Sequence, residues 1–330
     1  MITLDTAADV ANYTGTDDLA FVSGLATPFD GAEGFWVRRD NWTGQTNTGT
    51  VIADAMQRRW VRQYDHVIDA KWFGAAEDKT DNRAALQMAI DASVIEGHCA
   101  VVIPRGRYQI DGALSVSGVT FSGTSQLFGT HIIQTKPGAD AFVSTGEVGG
   151  MKLGGCRLRN LWIDAATGVA AGAAVRLGGD ATYQPDGFEL DGIRMSGEGQ
   201  GAAAGTWANC IAMNGTLRTS PPGIRGGIMR SIEAFNCRQP SVVVWGGAAT
   251  KLEGVNCYTG FGQTALAGLW VGGTTAVNSW GVKLESCHTE GPVNISNSSQ
   301  IMGRGNRFGC GRQIHTPTTS YIDVDNLLGT

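Results

Sequence analysis

The chain has 330 residues, with 30 acidic and 25 basic side chains and a net charge of −5. A net negative charge gives no general attraction to nucleic acid, and no run of 18 apolar residues occurs, so we expect no nucleic-acid partner and no membrane insertion. Glycine contributes 48 residues, about twice its usual share of ~7%, which is typical of many tight turns between short strands.

The first 66 residues are predicted to form a small β domain, separate from a long body over residues 67–330. They carry Trp36, Trp42 and Trp60 among polar turns. The start, Met1-Ile2-Thr3-Leu4-Asp5, lacks a basic segment followed by an apolar one. We therefore expect no signal peptide and synthesis in a bacterial cytoplasm.

A short helix is predicted at about residues 81–96. Asp81 stands where an N-cap is expected, Leu86, Ile90 and Val94 recur every four residues, and Gly97 suits the C-terminal end. Apolar strands follow at residues 100–103 and 108–110, joined by a turn at 104–107. Because the open end of a stacked sheet exposes unpaired backbone groups, we expect this helix to cap such an end.

The motifs around this helix resemble those of a known group of proteins. Phe73-Gly74-Ala75, Asp78, Thr80-Asp81 and Pro104-x-Gly106-x-Tyr108 resemble the opening motif of phage tailspikes of the pectate-lyase-like superfamily. Upstream, Asp17-Asp18-Leu19-Ala20, Asp30-Gly31, Gly49-Thr50-Val51-Ile52 and Arg59-Trp60-Val61-Arg62 resemble the small domain that often precedes it. The resemblance implies an all-β, single-stranded right-handed parallel β-helix (solenoid), assembled as a homotrimer. One departure is Glu77-Asp78-Lys79, where the family often has Gly-Asp-Gly.

From residue 156 onward an apolar residue is repeatedly followed by a second three positions on and a third five positions on. The leading residues lie 32, 39, 23 and 32 positions apart, enough for one coil of two or three strands each. The five copies are Leu158, Leu161 and Ile163; Leu190, Ile193 and Met195; Met229, Ile232 and Ala234; Leu252, Val255 and Cys257; Leu284, Cys287 and Thr289. Two weaker copies follow at 301–308 and 321–324.

The same register predicts three ladders of outward side chains. The first is Arg159, Asp191, Arg230, Glu253 and Glu285; the second Trp162, Arg194, Glu233, Asn256 and His288; the third Asp164, Ser196, Phe235, Tyr258 and Glu290. Rings beside charged groups suit a sugar, whose C–H faces stack on rings while its hydroxyls pair with polar groups. We expect Trp162, Arg194, Phe235, Tyr258 and His288 to bind a glycan, and burial against other subunits is the alternative for this face.

Cleavage of a glycosidic bond needs two carboxyl groups, about 5–5.5 Å apart for retention and about 6.5–9.5 Å apart for inversion. Glu253 and Glu285 are the first candidate pair, because they share a ladder on adjacent coils. Glu233 and Glu290 are reachable diagonally. A lyase is the alternative enzyme. The motifs of calcium-dependent pectate lyases are matched only in part, at Arg218 to Arg225 and at Trp162-Ile163-Asp164-Ala165. If the protein is an enzyme, a glycosidase is therefore favoured over a lyase.

The seven cysteines stand at positions 99, 156, 210, 237, 257, 287 and 310 without CxxC pairs. This scatter favours buried thiols, and with five dispersed histidines it predicts no transition-metal site and no cofactor.

These features predict a receptor-binding spike on the surface of a phage or phage-like particle, such as a gene transfer agent, that binds host capsular or other surface polysaccharide. The N-terminal domain would attach the spike to other virion proteins. A polysaccharide depolymerase tailspike is the first alternative, and a purely structural virion component is the second.

Overall fold

The structure is a computed structural model. It describes residues 1–124, 129–148, 151–178, 186–198, 205–214, 224–235, 237–258, 268–272, 279–291, 293–296, 298–308, 312–314, 321–324 and 327–328. Arg218, from the lyase-like near miss, and Cys310 lie outside these ranges.

The N-terminal residues form a five-stranded sheet over one short helix. Helix α1, Ala7–Ala11, begins with a capping box in which Thr6 and Asp9 satisfy each other's backbone N–H groups. Val10, Trp36 and Trp60 are fully buried between helix and sheet. The strands are Ile2–Leu4, Leu19–Val22, Gly34–Arg38, Val51–Ala53 and Arg59–Arg62.

A 3-10 helix at Ala70–Phe73 and helix α2 at Arg83–Ile95 follow. Helix α2 covers the first coil of the body, and Leu86 and Ile90 are buried in the core they share. The predicted N-cap is off by one position. Asn82 occupies the N-cap, whereas Asp81 lies just outside the helix and accepts from the backbone N–H groups of Arg83 and Asp111, at 2.8 and 3.0 Å.

The body is a stack of parallel coils whose longest sheet, here called the front sheet, has fifteen strands within the described residues. Each of its strands pairs in parallel with the strand one coil on. The strands are Val67–Asp69, Ala100–Val102, Gly106–Ile110, Thr120–Ser122, Thr130–Gln134, Arg157–Ala165, Glu189–Gly197, Ile228–Ala234, Lys251–Cys257, Lys283–Glu285, His288–Thr289, Ile301–Arg304, Arg307–Phe308, Tyr321–Val324 and Leu327–Leu328.

Two shorter parallel sheets close the coils, and two further short strands pair in antiparallel fashion. The back sheet consists of Leu114–Ser115, Phe142–Ser144, Ala173–Gly178, Asn209–Asn214, Val242–Trp245, Leu269–Gly272, Val293–Ile295 and Arg312–Ile314. The third sheet consists of Ile224–Arg225, Gly247–Ala248, Ser279–Trp280 and Ser298–Ser299, and the antiparallel pair consists of Glu147–Val148 and Met151–Lys152.

A ladder of left-handed residues explains the three-residue spacing of the apolar repeat. Two positions three apart in a regular strand face opposite sides of the sheet. In the five copies, and in the weaker copy at 301–308, the residue between the first outward ladder and the second apolar position has a positive φ, which turns the second apolar side chain back into the core. These residues are Asn160 (φ 55°), Gly192 (62°), Ser231 (52°), Gly254 (61°), Ser286 (52°) and Gly305 (61°).

The inside of the coils is a continuous apolar core that runs from α2 to Phe308. All fifteen residues of the predicted repeat are at most 1% exposed. The parallel β-helix expected from the sequence is therefore confirmed. No helix in the described part of the chain is both long enough and apolar enough to cross a bilayer.

Candidate functional site

The front sheet brings the predicted outward residues together in the predicted register. Arg159 pairs with Asp191, Trp162 with Arg194, and Asp164 with Ser196, and the first two ladders continue to Glu285 and His288. The central ladder also extends beyond the predicted residues. It begins at Arg107 and His131 and ends at Arg307.

Six planar side chains, here called the aromatic row, follow one another along this face, one from each of six consecutive coils. They are His131, Trp162, Arg194, Phe235, Tyr258 and His288, and all six are half-buried. The Phe235 and Tyr258 rings are stacked, the His131 and Trp162 rings meet edge to face, and His288 is tilted against Tyr258. Successive members lie 3.9, 4.6, 5.1, 4.6 and 5.9 Å apart, measured between ring centroids or from the guanidinium carbon to a ring centroid. These distances follow the inter-strand spacing of about 4.8 Å, so the row spans roughly 24 Å.

Arg194 joins the two halves of the aromatic row. Its guanidinium lies 4.6 Å from the ring centroid of Trp162 and 5.1 Å from that of Phe235, close enough for cation–π attraction on both sides. Phe235 and Tyr258 then lie parallel, with an interplanar angle of 11°. Since neighbouring planes fix each other, the row presents its free edges to solvent as a pre-organised surface.

The first ladder forms a chain of ion pairs beside the row. Arg230 lies 3.5 Å from Asp191 and 3.7 Å from Glu253, and Lys251 lies 3.1 Å from Glu253 and 2.8 Å from Glu285. Opposite charges alternate along most of this ladder.

The candidate acids Glu253 and Glu285 are placed on adjacent coils with the Lys251 ammonium between them. The hydrogen bond from Lys251 lowers the pKa of Glu285. A lowered pKa suits a carboxylate that acts as a base or nucleophile, and it opposes the role of proton donor.

Glu233 and Glu290 lie on either side of Tyr258. Burial raises the pKa of the Tyr258 phenol, and the carboxylates of Glu233 and Glu290 raise it further. Glu233 also lies 4.0 Å from Arg194, and Glu290 is exposed. These two acids therefore border the aromatic row.

Asp164 differs from its predicted outward position, because it is only 2% exposed. Trp162 Nε1 donates to its Oδ1 at 2.9 Å, Ser196 Oγ donates to the same oxygen at 2.6 Å, and His131 Nε2 lies 3.3 Å from Oδ2. Burial raises the pKa of Asp164 to about 6, and Glu198 adds to the increase. Burial, with Arg107 and Arg194 nearby, lowers the pKa of His131 to about 4.

A chain of polar side chains connects Asp164 to a second carboxylate. Arg107 Nη1 lies 3.4 Å from His131 Nδ1, and Arg107 Nη2 donates to Glu198. Because the arginine donates, Nδ1 is the acceptor, and the proton of neutral His131 is assigned to Nε2. This nitrogen lies 3.3 Å from Asp164 Oδ2 but has no hydrogen-bond partner among the described residues. The sequence-based analysis missed Arg107, His131 and Glu198. Arg107 and His131 lie on the paired strands Gly106–Ile110 and Thr130–Gln134. These strands precede the apolar repeat, which begins at residue 156, so the repeat did not place their side chains.

The back sheet lacks such an arrangement in its described outward ladder. Its members are Val143, Arg176, Ala212, Val243, Trp270 and Asn294. Arg176, the charged member, donates two hydrogen bonds to Asp140. The back sheet also has one aromatic pair, Trp245 and Trp270, with ring centroids 5.1 Å apart and an interplanar angle of 89°. The longer row of rings with charged groups beside it lies on the front sheet.

No family model and no curated protein matches the chain. The solved structures to which it is similar include three Acinetobacter phage tailspikes. That of vB_ApiP_P1 gives a TM-score of 0.56 at 13% identity, over 99% of this chain and 70% of that one. Gp42 of vb_AbaP_AS12 gives a TM-score of 0.60 at 13% identity, over 98% of this chain and 58% of that one. Gp49 of phage Fri1, described as a capsular polysaccharide depolymerase, gives a TM-score of 0.55 at 11% identity, over 99% of this chain and 69% of that one.

These similarities define the class of fold. The chain has the parallel β-helix fold of phage tailspikes, as its opening motif indicated. It spans 58 to 70% of the length of the three tailspikes. At sequence identities of 11 to 13%, this similarity shows the fold alone.

Proposed function

We propose that this protein is a receptor-binding spike of a phage or phage-like particle, and that its front sheet binds polysaccharide on the surface of a bacterial host. The observation that carries the proposal is the aromatic row, with a ladder of ion pairs beside it. The fold that the chain has in common with phage tailspikes supports it.

The row suits a linear sugar polymer for physical reasons. Ring edges and faces provide apolar area for sugar C–H groups, and Arg, Glu and His side chains beside them provide hydrogen-bond partners for hydroxyls. A length of roughly 24 Å accommodates several sugar units along the coil axis. Because each side chain of the row is held by contact with its neighbours, little conformational entropy is lost when a glycan binds.

The spike is proposed to act as a homotrimer on the virion surface, at the tail or the head. Several copies of a weak site raise the overall avidity without new contacts. The N-terminal sheet would attach to other virion proteins. Phe29 and Phe35, which are 78% and 50% exposed there, are candidates for that contact.

Depolymerase activity is the second candidate function, and Asp164 is the observation that favours it. A carboxyl group with a pKa of about 6 is suited to donate a proton near neutral pH. Glu198 directly follows the strand Glu189–Gly197, which pairs with the strand of Asp164, and this position makes it a candidate base. Glu253 with Glu285, and Glu233 with Glu290, remain proposed as alternative acid pairs.

The test is to incubate the purified protein with capsular polysaccharides from candidate hosts, and to follow bound protein by co-sedimentation and polymer length by size-exclusion chromatography. Sedimentation with intact polymer is the result expected of a binding spike. Shortened polymer, lost in Asp164→Asn and kept in Glu285→Gln, would identify a depolymerase centred on Asp164. Absence of both signals across the panel would contradict the proposal and favour a structural virion component.

A further inference from the structure

Two cysteines on adjacent coils have sulfur atoms that lie unusually close together. Cys210 Sγ and Cys237 Sγ are 2.6 Å apart. Described cysteine sulfurs also form hydrogen bonds to backbone carbonyl oxygens, and in those the sulfur–oxygen distances are 3.5 to 3.6 Å. A disulfide bond measures about 2.03–2.05 Å. The separation of the two thiols is thus closer to a covalent bond than to a contact.

The backbone on both sides of this pair is fixed by the coils. Cys210 lies in the back-sheet strand Asn209–Asn214, and its N–H donates to Ser241 O at 2.9 Å. Cys237 forms an isolated parallel bridge with Trp207. Both sulfurs also contact the carbonyl oxygen of Phe235, at 3.5 and 3.6 Å. Since both backbones are anchored, the sulfurs approach each other without rearrangement of either coil.

We propose that Cys210 and Cys237 form an intramolecular disulfide when the protein meets a low-molecular-weight disulfide such as oxidised glutathione. The thiolate of Cys237 attacks one sulfur of the reagent, which forms a mixed disulfide and releases one small thiolate. Cys210 then attacks the Cys237 sulfur and displaces the second small thiolate. Two protein thiols are oxidised, one external disulfide is reduced to two thiols, and the two protein protons pass to the released thiolates.

The accessibility of the two sulfurs sets the order of these steps. Cys237 is half-buried and packs against the core, whereas Cys210 is fully buried, so Cys237 is the more accessible of the two thiols. Burial raises the pKa of Cys210 well above the ordinary thiol value, and its neighbour Cys237 raises it further. Cys210 is therefore the resolving thiol, protected until the mixed disulfide lies beside it.

The bond would fasten the segment that carries Phe235, a member of the aromatic row. It closes a loop between positions 27 apart in the chain. For a loop of this length the chain-entropy model predicts an increase in the free energy of unfolding, because the unfolded chain has fewer conformations. For a chain of this size that increase corresponds to a rise in Tm of roughly 5 °C. A reducing cytoplasm would leave the pair as thiols, and release of the protein from the host cell would allow the bond to form.

Peptide mapping tests the proposal without any glycan, so its failure is separate from failure of the proposed function. After treatment with oxidised glutathione, alkylation and trypsin, Cys210 lies in peptide 195–218 and Cys237 in peptide 231–238, each with one cysteine. We expect a mass for the two peptides joined, and its loss on reduction. Two alkylated peptides after prolonged oxidation, or a bond from Cys237 to Cys257, would overturn the proposal.

Thermal melting provides the second readout. We expect oxidation to raise the Tm of the protein by roughly 5 °C and to leave the Tm of Cys237→Ser unchanged. Cys257→Ser is the control for the loss of one core thiol, because Cys257 is a buried cysteine of a neighbouring coil, and this variant should retain the full rise. An equal rise in Cys237→Ser would assign the effect to another thiol and contradict the proposal.

Discussion

Replacement of Gly254 tests whether the left-handed ladder produces the register of the coils. Gly254 has φ 61°, and a Cβ built there meets only the Ser231 backbone nitrogen, at 3.9 Å. Space is therefore available, and the cost of Gly254→Ala is the cost of the backbone conformation. Left-handed φ costs an L-residue about 1–2 kcal/mol. Alanine also lowers the conformational entropy of the unfolded chain, and this offsets about 0.4–1 kcal/mol of the loss.

The net expectation is thus a loss of about 1 kcal/mol for Gly254→Ala. Gly254→Asn should cost less, because asparagine tolerates this conformation and Asn160 already occupies the equivalent position with φ 55°. Gly254→Val should cost more, because a β-branched residue is a true outlier at positive φ.

The assay is the half-life of the folded protein at a fixed high temperature, followed by circular dichroism, because large β proteins often unfold irreversibly. A loss of about 1 kcal/mol shortens the half-life roughly fivefold when it falls on the unfolding step. We expect the half-life to be longest for the unchanged protein with Gly254, shorter for Gly254→Asn, shorter again for Gly254→Ala and shortest for Gly254→Val. Equal half-lives for the glycine and valine forms would refute the role assigned to this ladder.

Two further predictions concern charged groups. Asp164 has its pKa raised from 3.8 to about 6, so its protonated form adds stability at low pH that is lost as the pH rises through 6. The Tm of the protein minus that of Asp164→Asn should therefore fall between pH 4 and pH 7, and a constant difference would contradict the pKa. Lys251→Met removes the cation that lowers the pKa of Glu285; we expect the NMR titration of the Glu285 carboxyl to move to higher pH, and an unchanged midpoint would rule out the bridge.

Much of the body was predictable because each coil repeats one local pattern. Apolar side chains must face a shared core, so the positions of Leu158, Leu190 and Leu252 fixed the register of whole strands. That register in turn placed Trp162 beside Arg194.

The environment of Asp164 was less predictable. Its position alternates correctly with Trp162, but burial depends on the neighbouring His131 and Ser196, which come from other coils. The partners in the Arg107–Glu198 ion pair are 91 positions apart in the chain, and no local pattern connects them. A long-range pairing of this kind appears only when the coils are stacked.

The most direct test of the central claim compares two tryptophans on opposite sheets. Trp162 belongs to the aromatic row, whereas Trp270 is a half-buried member of the back-sheet ladder and donates to Ser296 Oγ at 3.1 Å. Binding of capsular polysaccharides from candidate hosts would be measured by calorimetry for the protein, for Trp162→Ala and for Trp270→Ala. The account predicts an affinity loss of about tenfold for Trp162→Ala, which is about 1.4 kcal/mol, and no loss for Trp270→Ala. Loss of binding in Trp270→Ala with full binding in Trp162→Ala would contradict it.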